Sequence, residues 1–192
     1  MSLANPTSPT SAAGRWTPSI TVHWLSALAV MAAVALAMVH EWIDDETLGR
    51  SLLAIHRQIG LTVLLLLVVR LLLRLRPDRD TTAVDQLPML MRWAAGLVHW
   101  VLYAFLLAMP LLGWAMTSAQ GHKVRLFGAV PLPSLVSVNP DLADSFQEWH
   151  EWCAWGLLTV VAMHIAAALF HHFVRRDNVL ASMWPPASHA DE

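Results

Sequence analysis

The chain contains four long runs of apolar residues separated by shorter polar stretches. A transmembrane helix needs about 20 mostly apolar residues, and each run reaches or approaches that length. No internal repeat and no strand pattern is visible. The pattern predicts an all-α membrane protein, a four-transmembrane-helix bundle spanning 18–176, with a disordered N-terminal tail at 1–17 and a cytoplasmic C-terminal tail at 177–192. The four runs cover about 20–39, 51–73, 93–116 and 146–173.

The positive charges favour one orientation of this bundle. Lysine and arginine concentrate in short loops on the cytoplasmic side of a membrane. The loop between the first two runs carries one arginine against four acids, whereas most arginines lie elsewhere: Arg15, Arg74, Arg76, Arg79, Arg92, Arg175 and Arg176. We therefore expect both termini and the middle loop to be cytoplasmic, in a multi-pass protein of the bacterial inner membrane.

Composition supports the lipid bilayer as a partner and gives no reason to expect nucleic acid. Hydrophobic residues make up 56% of the 192 residues and charged residues 14%, against about 25% charged in a typical soluble domain. The formal net charge is only −2, which is too small and of the wrong sign to attract a polyanion.

Histidines are the ionisable residues that recur inside the runs. Placing an ionisable side chain in a membrane span costs free energy, so such a residue indicates a functional site. His150 and His164 are 14 residues apart in the fourth run. In an α-helix that spacing returns to nearly the same face, about 21 Å along the axis. One helix face therefore presents one imidazole near each side of the membrane.

Depth matching supplies a partner for each of these imidazoles. His23 lies near the cytoplasmic end of the first span, at the level of His164, and His56 lies near the outer end of the second span, at the level of His150. Neutral imidazole is a good axial ligand for haem iron. The sequence thus predicts two bis-histidine b haems, one above the other. His99, on the third span, is an alternative to His23 as the partner of His164.

Further polar residues could contact the cofactors or an electron acceptor. His171 follows His164 by seven residues, on the same face, and could contact a haem propionate or a quinone, or lie at the membrane interface. Arg70 and Arg74 share one helix face and either flank the span or pair with propionates. Three bases toward the outer side could do the same or attract an anionic substrate: Arg57, Lys123 and Arg125.

Seven short motifs are spread over about 150 residues of the chain. They are SITVHW at 19–24, AIHRQIG at 54–60, VVRLLLRLRP at 68–77, HWVLY at 99–103, AMPLLGW at 108–114, EWHE at 148–151 and MHIAAALFHH at 163–172. In sequence and order they resemble the bacterial cytochrome b561 family, in particular its small di-haem members that are similar to superoxide:ubiquinone oxidoreductase.

The resemblance implies the ligand pairs His23 with His164 and His56 with His150, and it implies that His99 is not a ligand. It also implies a quinone, expected to be ubiquinone, as the electron partner in the membrane. In members that oxidise superoxide, outer basic residues guide the anion. Here Gln147 and Glu148 stand where some members have a lysine, a departure that bears on whether superoxide is the donor.

Three functional hypotheses follow. The first is a cytochrome that transfers single electrons between a periplasmic donor, such as superoxide, and the quinone pool. The second is a membrane anchor that relays electrons between quinol and a soluble periplasmic redox protein. The third, a haem-free transporter, would use the histidines as a cation pathway, and an optical spectrum of the purified protein distinguishes it from the other two.

The predicted orientation can be checked with reporter fusions. Alkaline phosphatase fused after Asp44 is expected to be active, because that loop would lie outside the membrane. A fluorescent protein fused to the C-terminus is expected to fluoresce, because it would fold in the cytoplasm. The opposite pattern of activity would mean that the bundle is inserted the other way round.

Overall fold

A computed structural model describes residues 17–75 and 87–184 as four long helices with short connecting segments. Each helix is long and apolar enough to cross a membrane, which confirms the predicted four-helix membrane fold. The helices are α1 (Pro18–Glu41), α2 (Glu46–Arg74), α3 (Met89–Ala119) and α4 (Pro140–Phe170). We call the end of the bundle that holds the α1–α2 turn and the α3–α4 loop the outer end, and the opposite end the inner end.

Polar caps, rather than the apolar runs, set where three helices begin. The side chains of Thr17, Asp45 and Asn139 each accept a hydrogen bond from a backbone amide in the first helical turn. Such caps satisfy amides that have no partner within the helix. Consequently α2 begins five residues and α4 six residues before the apolar run that predicted it.

The helices are arranged as two hairpins. Helix α1 packs along α2, α3 packs along α4, and the hairpins meet where α2 contacts α3. The buried cluster at this contact consists of Val63 and Leu67 from α2 with Tyr103 and Leu106 from α3. Many large apolar side chains on the outer surfaces of the helices are exposed, as expected for helices that face lipid.

The α3–α4 loop contains a structural element for which no pattern is visible in the sequence. The α3–α4 loop contains a small antiparallel hairpin in which β1 (Arg125–Leu126) pairs with β2 (Val130–Pro131). Its turn is closed by a hydrogen bond from the Ala129 amide to the Leu126 carbonyl. Two-residue strands are too short to give an alternating pattern in the sequence, since alternation needs about four residues.

The chain beyond α4 turns back toward α1. A π-helical turn covers His171–Arg175, Arg176 adopts a left-handed conformation with φ of 54°, and a 3₁₀ helix covers Ala181–Met183. The last described residue, Trp184, stacks on Trp24 of α1. Part of the predicted C-terminal tail is therefore packed on the bundle, while 1–16 and 185–192 lie outside the described residues.

Close packing of α3 on α4 depends on Gly156. A Cβ atom at this position would lie 2.8 Å from Cζ of Phe105, well inside normal contact distance. Substituting Gly156→Ala is expected to destabilise the protein by about 1–3 kcal/mol, the usual range for overpacking. Thermal unfolding in detergent would measure the loss.

Two further variants test this explanation. Adding Phe105→Leu to Gly156→Ala should restore most of the stability, because the overlapping ring atom is removed. Ala166→Leu adds more volume at an exposed position of the same helix and should leave the unfolding temperature unchanged. Equal loss in both single variants would show that the Phe105 contact is not the cause.

Candidate haem sites

An outer pair of imidazoles joins α2 to α4. The ring centroids of His56 and His150 are 6.2 Å apart, with the ring planes at 71°. His56 Nδ1–H donates to the carbonyl of Ala33 on α1 at 2.9 Å. Metal-bound histidines commonly donate their second N–H in this way, which fixes the ring orientation. The His150 ring lies beside Gly113 of α3, close to where a Cβ would stand.

An inner pair joins α1 to α4. The ring centroids of His23 and His164 are also 6.2 Å apart, with the planes at 59°. The ring of His99, on α3, lies 5.3 Å from that of His164. Its Nδ1–H donates to the Ala95 carbonyl one turn earlier in α3, at 2.7 Å. The structure therefore brings together all three histidines that the sequence placed at this depth.

Both 6.2 Å pairs have the separation that one metal ion between two imidazoles requires. A metal–imidazole nitrogen bond is about 2 Å long, so two ligand rings on opposite sides of one metal have centroids about 6 Å apart. The His99–His164 separation is shorter than that. The rings of His23 and His56 thus fit axial ligation opposite α4 better than the ring of His99 does.

The helix packing around the pairs also suits a flat, mostly apolar cofactor. Within the described residues, α4 is not packed along α1 or α2, although both ring pairs cross from α4 to those helices. No large side chain in the described residues is fully buried. One turn after His56, no neighbouring atom lies within 4 Å of where a Cβ would stand on Gly60. The residues present at both pairs are compatible with haem.

Arginine and aromatic side chains surround the inner pair. Arg70 Nη2 donates to His23 Nδ1 at 2.9 Å, and its guanidinium lies 5.5 Å from the centre of the Tyr103 ring. Arg74 donates to the Tyr103 hydroxyl at 3.3 Å and lies 5.9 Å from the Trp100 ring. Two guanidinium groups therefore point at the inner site from the face of α2 on which the sequence placed them.

His171 lies at the inner end of α4 and is held by Asp177. Its Nδ1–H donates to the Asp177 carboxylate at 2.6 Å, and the same carboxylate accepts bonds from Arg175 Nε and the Val179 amide. The hydrogen bond from His171, with those from Val179 and Arg175, holds the pKa of Asp177 below its usual range. Asp177 therefore stays ionised at neutral pH and fixes the tautomer of His171.

Sequence reasoning did not single out Tyr103, Trp24 or Asp177. Tyr103 is the only tyrosine in the chain, and a phenol within an apolar run is the signal that would have found it. Trp24 follows His23 directly, and their rings lie 5.5 Å apart, edge to face. Asp177 gives no comparable signal, because its contact depends on the turn after α4.

Comparison with known proteins gives matches along most of the chain. A model of the prokaryotic cytochrome b561 family matches residues 15–186. A probable superoxide oxidase CybB from Yersinia pestis is 32% identical over 173 residues, covering 86% of this chain and 93% of that protein. Cytochrome b561 homolog 2 of Escherichia coli is 32% identical over 167 residues, covering 86% of this chain and 88% of that protein. A cytochrome b562 of Cereibacter sphaeroides is 27% identical over 183 residues, covering 87% of this chain and 92% of that protein.

The fold and these matches define a multi-pass bacterial membrane cytochrome of the b type that takes part in electron transfer. The chain belongs to the prokaryotic cytochrome b561 family, as its sequence motifs indicated. Membership of the family implies that it binds haem b.

Proposed function

We propose that the protein is a di-haem cytochrome of the inner membrane that transfers single electrons between a periplasmic donor and the quinone pool. His23 and His164 would hold the inner haem, and His56 and His150 the outer haem. The observation that supports this assignment is the recurrence of one ring separation, 6.2 Å, at two levels of the bundle. Each haem would supply one-electron chemistry and would be held by the two imidazoles of its pair.

Arg70 is proposed to pair with a propionate of the inner haem. An imidazole that binds iron through Nε2 carries its remaining proton on Nδ1. His23 could not then accept the hydrogen bond that Arg70 donates to Nδ1. The guanidinium would need another acceptor, and a carboxylate is the strongest partner for it. Arg74, fixed by Tyr103, would stabilise the second propionate.

The inner end is proposed as the quinone side, with ubiquinone as the acceptor. Reduction of a quinone to a quinol takes up protons as well as electrons, so a proton donor near the site is required. His171 would meet this need, because Asp177 holds its Nδ1–H and leaves Nε2 able to take up a proton from the cytoplasm and pass it to the quinone. The dyad lies at the end of the helix that carries both His150 and His164.

The outer end admits two kinds of donor. The name of the Yersinia pestis relative suggests superoxide, and the exposed side chains of Lys123 and Arg125 would attract an anion. Next to His150, however, Gln147 donates to Glu151 at 3.3 Å, so an acid lies where an approaching anion would be repelled. This feature favours the alternative, a relay subunit that exchanges electrons with a soluble periplasmic redox protein.

Ligand variants test the haem assignment. Replacing His56 or His150 by Leu is expected to remove the outer haem and keep the inner one, since each iron would lose one axial ligand. Replacing His23 or His164 should do the reverse. Pyridine haemochrome assay and low-temperature reduced spectra would count and distinguish the haems.

His99→Leu is the matched control for this series, since His99 also lies beside His164. It should retain both haems. A His99 variant that loses the inner haem while the His23 variant keeps it would overturn the inner assignment, and wild-type protein with one haem or none would overturn the function.

Anaerobic stopped-flow reduction separates the two donors. Fast haem reduction by superoxide, abolished in His56→Leu, is expected if superoxide is the substrate. Glu151→Gln should then accelerate the reaction, because a negative charge near the outer site is removed, and the gain should shrink as salt screens the charge. Slow reduction by superoxide, with rapid reduction by ubiquinol, would instead support the relay subunit.

A further inference from the structure

Helix α4 carries one member of each histidine pair but is not packed along the helices that carry the other members. His164 faces His23 of α1, and His150 faces His56 of α2. In the described residues, α4 packs along α3 instead. Helix packing therefore does not directly set either ring separation, and some other contact must hold α1 and α2 at the right distance from α4.

At the inner end, the segment after α4 makes such a contact. We call residues 176–184 the inner clasp. Asp177 anchors its start to His171, and at its end the Met183 carbonyl accepts a hydrogen bond from Trp24 Nε1 at 2.9 Å. The Trp184 ring stacks on the Trp24 ring at 4.8 Å and 14°. The clasp thus ties the end of α4 to the residue that follows His23.

At the outer end, the α3–α4 loop makes the equivalent contact. We call its hairpin, residues 125–131, the outer clasp. Gln58 of α2 binds it with both ends of its amide: Nε2 donates to the Arg125 carbonyl at 2.9 Å, and Oε1 accepts from the Phe127 amide at 2.8 Å. Gln58 lies two residues after His56, so this clasp ties the α3–α4 pair to the helix turn that carries His56.

The turn of the outer clasp is held in a conformation that needs support. Phe127 has φ of +50° and Gly128 has φ of +71°. Positive φ is ordinary for glycine but costs free energy for a bulky aromatic residue. Such a conformation persists when surrounding contacts fix it, and the bond from the Phe127 amide to Gln58 is one of them. The hydrogen bond to Gln58 therefore both joins the hairpin to α2 and helps to hold Phe127 in its strained conformation.

We propose that the two clasps set the separation of the two histidine pairs, so that Trp24 is a positioning residue for the inner haem and Gln58 for the outer haem. Functional groups must be held within about 0.5 Å of their working geometry. Each clasp acts on the helix turn that bears the histidine facing α4. This proposal rests on the proposed di-haem function.

The test compares two conservative variants that serve as controls for each other. Trp24→Phe keeps an aromatic ring against Trp184 but removes the Nε1–H donor to Met183. Gln58→Met keeps the length of the side chain and removes both hydrogen bonds to the hairpin. Gln120→Met is the control for replacing an amide, because Gln120 is exposed at the end of α3. An optical redox titration of each purified holoprotein gives the midpoint potential of each haem. The rate at which each haem is lost in detergent is followed by its absorbance.

Selective effects are expected. Trp24→Phe should shift the midpoint potential of the inner haem and speed its loss about tenfold, within the range seen when groups supporting a metal ligand are removed, while the outer haem is unchanged. Gln58→Met should do the same to the outer haem alone. Gln120→Met should change neither. Hydrogen exchange of the Phe127 amide should rise only in Gln58→Met, which shows independently of the haems that the clasp is released.

Two results would overturn the proposal. If the variants alter both haems equally, the clasps stabilise the bundle as a whole. If hydrogen exchange shows that a clasp is released and neither haem is altered, other contacts set the ring separations. Failure of the proposed function looks different, because wild-type protein would then lack two haems before any substitution is made. Trp184→Ala, which removes the stacked ring and leaves Trp24 intact, provides a second variant of the inner clasp and should reproduce the effect of Trp24→Phe.

Discussion

The structure depends on holding imidazoles in opposed pairs inside an apolar bundle. An ionisable side chain in a membrane span costs free energy unless it faces the protein interior and finds partners there. Helix geometry meets part of this requirement without further help, because 14 residues bring two side chains of α4 to one face. The opposing rings come from two different helices, α1 and α2, so their positions depend on how the helices are held together.

Two kinds of contact hold the helices together: apolar packing between helices, and hydrogen bonds from side chains to irregular segments. The two helical hairpins are joined through the buried cluster of α2 and α3. Between α4 and the helices α1 and α2, where the ring pairs lie, side chains bind backbone atoms of irregular segments. Trp24 of α1 binds the segment after α4, and Gln58 of α2 binds the hairpin in the α3–α4 loop. This arrangement leaves room between helices for a flat cofactor while still fixing their distance.

The two ends of the bundle differ in charge and chemistry. At the inner end, Arg70 and Arg74 are grouped with Tyr103, and His171 is bound to an ionised Asp177. Cations near a cofactor stabilise its carboxylates, and a histidine–carboxylate dyad can deliver protons. At the outer end, acidic and amide side chains flank His150. Relatives of this chain carry names as different as superoxide oxidase and cytochrome b562, which fits a shared bundle with different surroundings.

The sequence by itself determined the number of spans, the level of each histidine and the family, because hydropathy and helical periodicity are local properties. It also placed Arg70, Arg74 and His171 on faces that turn toward the inner site. Tertiary structure decided the rest. Depth matching left His99 and His23 as alternatives beside His164, and the family resemblance favoured His23. The interhelical distances, 5.3 Å for His99 and 6.2 Å for His23, add a geometric reason for the same choice that the sequence does not contain. The fold-back after α4 and the bonds of Gln58 join residues distant in the chain, and no local pattern encodes such contacts. The hairpin is local, but its two-residue strands are too short to show an alternating pattern.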